Sequence, residues 1–461
     1  MDTTRDFTSG PIVGPLIRFS LPILAALFLQ ALYGAVDLLV VGKYAVTADV
    51  SGVAIGSQIM MTVTGLISSL AMGSTILLGQ KLGMRAEKDC GNVIGTSIAF
   101  FGLAGLALTL LLPTLSAVLA RMMNAPQEAL RETGAYIAVC GGGSLAIVAY
   151  NVLGSVMRGL GDSRTPLMTV AIACAVNIAG DLLLVAVFHL GAAGAAIATV
   201  AAQLISVLVS FLVLRRRGLP FPFSRRDIRF EGASLRPMLR FGVPIALQDV
   251  LVSLSFLVIL SIANSLGLAA SAGVGVAEKV CGFIMLTPAA FMQAMSAYVA
   301  QNHGAGKDER AIRGLRIAIA LSTAFGLGMF FLAFFHGDLL CGIFARDESV
   351  ILAGADYLKA YAIDCLFTCF LFCFIGFYNG LGYTGFVSVQ GVLAAFLVRI
   401  PVAILMRRTL GTLFGIGLGV PVATVFQIMA CFVFLGYLNR KKMLKQHTDW
   451  QYSEPIHIKG R

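Results

Sequence analysis

Long apolar blocks alternate with short polar connections along nearly the whole chain. A transmembrane helix needs about 20 predominantly apolar residues to cross the hydrocarbon core of a bilayer. The pattern predicts spans at residues 13–41, 53–78, 91–112, 134–156, 166–187, 193–214, 241–263, 268–299, 315–335, 357–378, 386–406 and 412–438. We therefore predict an all-α integral membrane protein with twelve transmembrane helices.

The composition favours a membrane protein over a soluble one. Of the 461 residues, 58% are hydrophobic and 12% are charged, whereas roughly 25% of the residues of ordinary globular proteins are charged. The formal net charge of +11 would suggest a nucleic-acid partner for a soluble chain. Here the basic residues lie in the connections between apolar blocks, where they set membrane topology. The expected partner is the lipid bilayer and not nucleic acid.

The distribution of Lys and Arg predicts the orientation. Most of them fall in the two tails and in the connections on the same side of the membrane, which the positive-inside rule assigns to the cytoplasm. We expect a multi-pass protein of the cell membrane with both termini cytoplasmic. The densest basic cluster predicts a cytoplasmic linker at 215–237, between an N-terminal six-helix lobe at 1–214 and a C-terminal six-helix lobe at 238–440. A cytoplasmic tail follows at 441–461.

The two halves of the chain repeat each other. Residues 16–23 align with residues 238–245 at a shift of about 222 and share Arg, Phe, Pro and Ile, and at a shift of 221 Gln80 falls on Gln301. Because each half holds an even number of spans, both copies enter the membrane from the same side. Such copies are related by a pseudo-two-fold axis along the membrane normal. We expect a substrate path between the two lobes.

Ionisable side chains inside membrane spans are costly and commonly mark a transport pathway. Those in or beside the predicted spans are Asp37, Asp181, Asp249, Glu278, Lys279, Lys359, Asp364 and Arg399. Their depths separate them into groups, because each helical residue advances about 1.5 Å.

One group lies at a single depth in the N-terminal half. Asp37 lies about 6 Å from the outer end of its span, and Asp181 and Thr199 lie about 9 Å from the outer ends of theirs. Asn177 precedes Asp181 by one helical turn on the same face. These oxygen ligands predict a binding site for a proton or a sodium ion. The alternative is that each carboxylate only caps or hydrogen-bonds a neighbouring helix.

Other polar residues are candidates for a substrate cavity. Gln30, Tyr33 and Gln203 are suited to line it, although polar residues in spans equally serve as hydrogen bonds between helices. Glu278 and Asp364 are candidates for meeting an organic cation. Structural neutralisation of nearby basic residues is an equally good interpretation of these two acids.

Alignment of the two halves shows that the lobes differ in their polar residues. The position of Asp37 maps onto Ile259, and that of Asn177 maps onto or beside Arg399. A coupling cation should therefore favour the N-terminal lobe. A guanidinium cannot lose its proton, so we expect Arg399 to pair with Asp364 or Glu278. Pro22 removes a backbone donor from the first span and is the expected hinge.

No pattern of catalytic or metal-binding residues emerges from the sequence. Cys365, Cys369 and Cys373 share one helical face, but no His or Cys cluster completes a metal site, so helix packing is the preferred interpretation. There is no phosphate-binding loop of the G-x-x-x-x-G-K-[ST] type. We expect no enzyme activity, no metal and no cofactor other than the coupling ion.

The chain resembles the multidrug and toxic compound extrusion (MATE) family from Pro11 to about Leu438. The motifs that carry the resemblance are YGAVD at 33–37, VGK at 41–43, RGLGDSRTP at 158–166, NIAGD at 177–181, GAAIAT at 194–199, GVP at 242–244 and QNHGAG at 301–306. Their order and spacing together are specific, although no single motif is.

The resemblance implies two lobes in a V, which alternate between outward and inward openings. It also implies export of amphipathic, often cationic organic compounds against inward proton or sodium flow, and no need for an oligomer. Asp37, Asn177, Asp181 and Thr199 match the cation site of one branch of the family.

Three positions depart from the family pattern. Gly34 replaces the usual Asn and Gly180 replaces a bulkier apolar residue. Val252 stands where another branch carries a carboxylate, and Asp249 does not inherit that role. The alternatives that remain are a lipid-linked or polysaccharide flippase with a similar two-lobe outline, an integral-membrane enzyme, and a receptor or scaffold that does not transport.

Overall fold

The structure is a computed structural model that describes residues 6–452, with the side chains of residues 6–440. Within that part of the chain, eleven helices are long and apolar enough to span a membrane, and a pair bent by 56° makes a twelfth span when it is counted as one. In chain order they are α1 (Val13–Tyr44), α2 (Thr47–Gly83), α3 (Glu87–Met122), α4 (Gln127–Gly142 with Ser144–Gly159), α5 (Arg164–Val187), α6 (Gly191–Arg217), α7 (Gly232–Asn264), α8 (Leu268–Gly304), α9 (Asp308–Phe335), α10 (Glu348–Leu381), α11 (Thr384–Thr409) and α12 (Leu413–Arg440).

Each predicted span coincides with one of these helices, and only Thr412 of the last predicted span lies outside, as the N-cap of α12, so the prediction of an all-helical membrane protein is confirmed. Most helices are longer than the predicted spans; α2, for example, begins six residues before the span predicted at 53–78. Hydropathy detects only the apolar part of a helix, whereas its hydrogen-bonded backbone continues into the polar connections. The helix of α12 continues to Tyr452, and the rest of the predicted tail at 441–461 lies outside the described residues.

The helix is interrupted within α4, α8 and α12, the last of these at Leu418. The bend in α4 falls at Gly143, whose missing side chain leaves room for Val200 of α6. The helix of α8 is interrupted at Met285, three residues before Pro288. Proline has no N–H to donate to the carbonyl one turn earlier. In α1, by contrast, the helix is continuous through Pro22.

The lobe formed by α1–α6 contacts the lobe formed by α7–α12 chiefly through α1 and α2, which pack on α7 and α8. The contacts of α2 lie in its last part. Gly73 packs directly on the backbone of Met238 in α7, and Gly83 packs on the backbone of Gln301 in α8. These approaches require glycine, because a Cβ atom would overlap the neighbouring backbone.

At the opposite end of the molecule, α2 packs against a helix of its own lobe. Near the start of α2, Gly52 and Gly56 contact Glu132 and Tyr136 of α4, which belong to the same lobe. The lobes therefore meet at the end where α1 begins, and a cavity remains between them.

The segment before α1 covers this contact end. The ring of Phe7 is 1% exposed and contacts Phe19 of α1 and Tyr298 of α8, at 5.0 and 5.6 Å between ring centroids. The side chain of Arg310 donates hydrogen bonds to the carbonyls of residues 7, 9 and 10 at 2.8–2.9 Å. This segment therefore links the two lobes.

Candidate functional site

Three helices of the N-terminal lobe bring together the four residues predicted for the cation site. Thr199 of α6 donates its hydroxyl to Oδ2 of Asp37 in α1 at 3.3 Å. The side-chain amide of Asn177 in α5 donates to the same Thr199 hydroxyl at 3.3 Å. Asp37 is 5% exposed and Asp181 is fully buried. The structure thus places all four residues in one buried polar cluster.

The cluster has more hydrogen-bond acceptors than donors. The carboxyl groups of Asp37 and Asp181 lie within hydrogen-bonding reach of one another. Both oxygens of Asp181, Oδ1 of Asp37 and Oδ1 of Asn177 are buried without a hydrogen-bond partner. Among the described residues, neither carboxylate forms a salt bridge with a basic side chain. Buried acceptors without donors are costly, and a proton or a metal cation would satisfy them.

Local structure explains why α5 presents these residues to α6. Asn177 and Asp181 are one turn apart on the same face, and a π-helical turn at Leu182–Val187 follows directly. Such turns are frequent at functional sites. The departure from the family pattern at Gly180 has a packing reason, because a Cβ atom there would lie 2.8 Å from that of Ala198. Glycine therefore allows the close approach of the two helices beside the cluster.

Two of the predicted cavity residues lie next to this cluster. Tyr33 is close to Asp37 and to the side chain of Gln203 in α6. One turn away on α1, Gln30 donates its side-chain amide to the hydroxyl of Tyr150 at 2.8 Å. These contacts extend the polar cluster along α1.

A cavity of about 540 Å³ lies between the lobes. This volume falls in the range of about 300–1,000 Å³ that is typical of pockets for drug-sized molecules. Of the residues predicted to line a cavity, Gln30 and Asp364 line it, whereas Tyr33, Gln203 and Glu278 do not. Further polar lining residues are Ser68, Ser69, Tyr150, Asn151, Arg158, Gln248, Asp249, Gln293, Asn379, Arg399, Thr424 and Gln427.

The C-terminal lobe places an acid and an arginine in the wall of this cavity. Asp364 of α10 accepts a hydrogen bond from Thr368 at 2.8 Å. Arg399, which is 5% exposed, donates to the hydroxyl of Ser255 at 2.8 Å and lies over the ring of Phe256, 4.2 Å from its centroid.

The expected ion pair of Arg399 is not formed. In the part of the chain that the structure describes, no carboxylate approaches its guanidinium within 4.0 Å. Asp364 is near enough for the two charges to interact, and Glu278 instead lies near Cys281 and Tyr357. The prediction of a direct pair was wrong because the guanidinium meets a hydroxyl and an aromatic ring that are distant in sequence, while its Nε has no hydrogen-bond partner.

Sequence reasoning named Asp249 but not its partner, and it missed Arg158 as a charged residue of the cavity. Asp249 of α7 accepts a hydrogen bond from Ser69 of α2 and so joins the lobes. Arg158 lines the cavity, although it lies two residues beyond the span predicted at 134–156. The only signal for Arg158 was its place in the RGLGD motif.

Helix packing accounts for the surroundings of the three regularly spaced cysteines of α10. Cys365, Cys369 and Cys373 are buried, and Cys369 packs on α9 at Gly326. No group of three or more potential metal ligands occurs among the described residues.

The fold, the internal repeat and the cavity between two lobes define a two-lobe membrane transporter. The chain belongs to the MatE family, whose model matches residues 22–183 and residues 244–405. The two matches are 222 residues apart, which is the shift of the internal repeat.

Relatives of known sequence match over most of their length. The chain is 28% identical to the probable multidrug resistance protein YpnP of Bacillus subtilis, covering 96% of this chain and 99% of the relative. It is 24% identical to the probable multidrug resistance protein NorM of Thermotoga maritima, covering 85% of each. It is 20% identical to the multidrug export protein MepA of Staphylococcus aureus strain N315, covering 88% of this chain and 89% of the relative.

Solved structures share the fold. A crystal structure of MATE in complex with MaL6 superposes with a TM-score of 0.87 at 19% identity, covering 97% of this chain and all of the other. An outward-facing multidrug resistance MATE family transporter of the MOP superfamily superposes with a TM-score of 0.87 at 20% identity, covering 97% and 99%. The two-lobe architecture predicted from the repeat is therefore confirmed.

Proposed function

We propose that the protein is an antiporter that exports amphipathic, often cationic organic compounds in exchange for protons or sodium ions. The observation that carries this proposal is the cluster of buried acceptors around Asp37 and Asp181, four of which lack a donor. A cluster of this kind has a high affinity for positive charge, because water does not solvate its carboxylates. The names of the relatives, which are multidrug resistance and multidrug export proteins, support the substrate class.

The coupling mechanism runs through α1. Asp37 lies about 15 residues, or roughly 22 Å, beyond Pro22 on this helix. Pro22 cannot donate to the carbonyl of Arg18, so the helix is weakened there. Near the same proline, Phe19 and Ile23 pack against the core that α1 shares with α8. Neutralisation of Asp37 by a cation changes how α1 packs on α5 and α6, and bending of α1 at the weakened turn around Pro22 then transmits this change to the contact between lobes.

The positive-inside rule gives the direction of this cycle. If the protein lies in the plasma membrane with both termini in the cytoplasm, the end at which the lobes meet is cytoplasmic. The cavity then opens to the outside. The structure then corresponds to the outward-facing state. One chain contains both lobes and the whole cavity, so no oligomer is required.

The charged cavity residues are the proposed substrate contacts. Asp364 and Asp249 present carboxylates to the cavity and suit the positive group of an organic cation. Gln30 supplies a polar contact at the wall nearest the cation site. Tyr33 and Gln203 are better placed to orient Asp37 than to touch substrate.

A lipid-linked or polysaccharide flippase is the alternative of similar architecture. The cavity of such a protein is expected to be cationic. Here Arg158 and Arg399 are matched in number by Asp249 and Asp364, which favours export of smaller amphipathic compounds.

Export driven by an imposed gradient tests the coupling. Proteoliposomes with the protein in defined orientation receive a proton gradient or a sodium gradient, and movement of a fluorescent cation such as ethidium is followed. Asp37→Asn and Asp181→Asn should reconstitute in normal amounts and lose gradient-driven export. Asp249→Asn alters a proposed substrate contact but not the cation cluster, so it should have a milder effect and retain part of the gradient-driven export. If both N-terminal variants still concentrate the dye under either gradient, the proposed mechanism is wrong.

A further inference from the structure

The cavity between the lobes contains an arginine that no acidic residue neutralises. Arg158 lies in the last turn of α4 and lines the cavity. Its Nη2 donates to the hydroxyl of Ser155 at 2.8 Å, and its Nε is buried without a hydrogen-bond partner. No carboxylate of the described residues lies within 4.0 Å of it.

The other arginine of the cavity, Arg399, also has a buried Nε without a hydrogen-bond partner, but it differs from Arg158 in having the carboxylate of Asp364 nearby. Asp249 has the hydroxyl of Ser69, and Asp364 has the hydroxyl of Thr368 and the nearby charge of Arg399. The ionisable neighbour of Arg158 is Tyr150, which is neutral when its hydroxyl is protonated.

An unpaired charge of this kind points to a ligand. The guanidinium cannot shed its proton. Arg158 is half-buried, and a charge that is partly removed from water is destabilising when it has no partner. An anion bound beside Arg158 would remove that cost.

Capping of the C-terminal end of α4 would be a purely structural role for Arg158, and it explains the contacts of this side chain less well than anion binding does. A basic side chain in the last turn of a helix interacts favourably with the helix dipole. However, the terminal carbonyl of Gly159 already accepts a hydrogen bond from the side chain of Gln301 at 3.1 Å. The guanidinium of Arg158 bonds a side-chain hydroxyl instead, and its Nε has no hydrogen-bond partner.

We propose that Arg158 forms an anion subsite in the cavity, and that the substrates include drug-sized amphipathic compounds with a carboxylate, sulfonate or phosphate group. Zwitterions belong to this class, since their positive group would meet Asp249 or Asp364 across the same cavity. Arginine suits the role because its planar fork of N–H groups matches such anions. The inference rests on the proposed export function and narrows its substrate class.

A pair of dyes that differ only at a carboxylate tests the subsite. Tetramethylrhodamine carries a free carboxylate, and its methyl ester does not. Binding of each dye to the purified full-length protein in detergent is measured by fluorescence polarisation. Arg158→Gln should weaken binding of the free acid about tenfold, as expected for loss of a charge-assisted hydrogen bond, and leave the ester nearly unchanged. Arg158→Lys keeps the charge and should retain most of the preference.

The outcomes separate this subsite from the coupling mechanism. Equal losses for both dyes in Arg158→Gln would indicate a structural role and overturn the subsite, as would no loss for either. Asp37→Asn should leave the ratio of the two affinities unchanged, because no gradient is present in this assay. Suppose that Arg158→Gln leaves the ratio of the two dye affinities unchanged while Asp37→Asn fails to export. The anion subsite would then be refuted, and the proposed coupling mechanism would stand.

A lipid phosphate shares the chemistry of these anions, and a competition experiment distinguishes it. Phosphatidylglycerol added to the micelles should displace the free-acid dye no better than phosphatidylcholine does. Selective displacement by phosphatidylglycerol would assign the anion to a lipid headgroup and overturn the proposed class of drug-sized substrates.

Discussion

Gln80 and Gln301 occupy equivalent positions in the two lobes, and each donates its side-chain amide to a glycine of the other lobe. Gln80 donates to the carbonyl of Gly380 at 3.0 Å, and Gln301 donates to that of Gly159 at 3.1 Å. Both glycines lie in the last turn of their helices, where carbonyls lack partners within the helix. The internal repeat therefore produces two matching hydrogen bonds across the contact between lobes.

These two bonds should stabilise the closed contact end. Gln80→Leu and Gln301→Leu each remove a bond with a net contribution of about 1 kcal/mol, which corresponds to a roughly fivefold shift of the equilibrium towards separation of this end. Spin labels at Lys88→Cys and Arg313→Cys, both near this end, report the distance by double electron–electron resonance. Gln58→Leu, an exposed change on the same helix, is the control. Unchanged distance distributions in both variants would show that the bonds do not hold the end closed.

The glycines beside these residues should be sterically essential to closure. A Cβ atom at Gly83 would overlap the carbonyl oxygen of Gln301, and one at Gly304 would overlap that of Gln80. Gly83→Ala and Gly304→Ala should therefore disfavour the outward-facing state more strongly than loss of one hydrogen bond. Gly102→Ala in α3, where the added atom meets nothing within 4 Å, is the control. Full export by both variants, measured with the ethidium assay, would contradict this prediction.

The buried ring of Phe7 should contribute to stability. Phe7→Ala removes contacts with Phe19 and Tyr298 and is expected to cost about 3 kcal/mol, as for other fully buried aromatic residues. Thermal unfolding in detergent measures the loss. Phe230→Ala removes an aromatic ring that is 54% exposed and should shift the transition far less. Similar shifts in the two variants would mean that the segment before α1 does not stabilise the fold.

The cysteine face of α10 should be dispensable for transport. Simultaneous replacement of Cys365, Cys369 and Cys373 by Ala preserves an apolar contact with α9 and should retain most export activity. Three thiolates without a further ligand would leave a tetrahedral site incomplete. The prediction would be wrong if the variant lost export and if added copper or zinc changed the export activity of the unmodified protein.

Cysteine labelling should reveal the orientation. The nine native cysteines are buried, so an impermeant thiol reagent will react mainly with added ones. Lys88→Cys should be protected in intact cells and Ser265→Cys should react, because the positive-inside rule places them on opposite sides. Ser163, although in a predicted connection, is 4% exposed and is a poor labelling position. Reaction of both added cysteines from outside would refute the proposed topology.

The amino-acid sequence determined the number of spans, the repeat and the common depth of Asp37 and Asp181, the acids of the proposed cation site. Bilayer thickness sets the length of an apolar block, and the constant rise of a helix converts a position in a span into a depth. For this reason Asp37 and Asp181 could be matched across helices without any knowledge of packing. Asn177 and Asp181 shared a face by helical periodicity alone.

Only the tertiary structure decided which polar side chains face the cavity and which contact each other. Depth says nothing about the rotation of a helix about its axis, which packing against neighbouring helices sets. Tyr33 therefore lies beside the cation site while Gln30, one turn away, reaches the cavity, and Arg158 enters the cavity from beyond its predicted span. Arg399 meets Ser255 rather than an acid for the same reason, because the docking of α11 on α7 selects its partner.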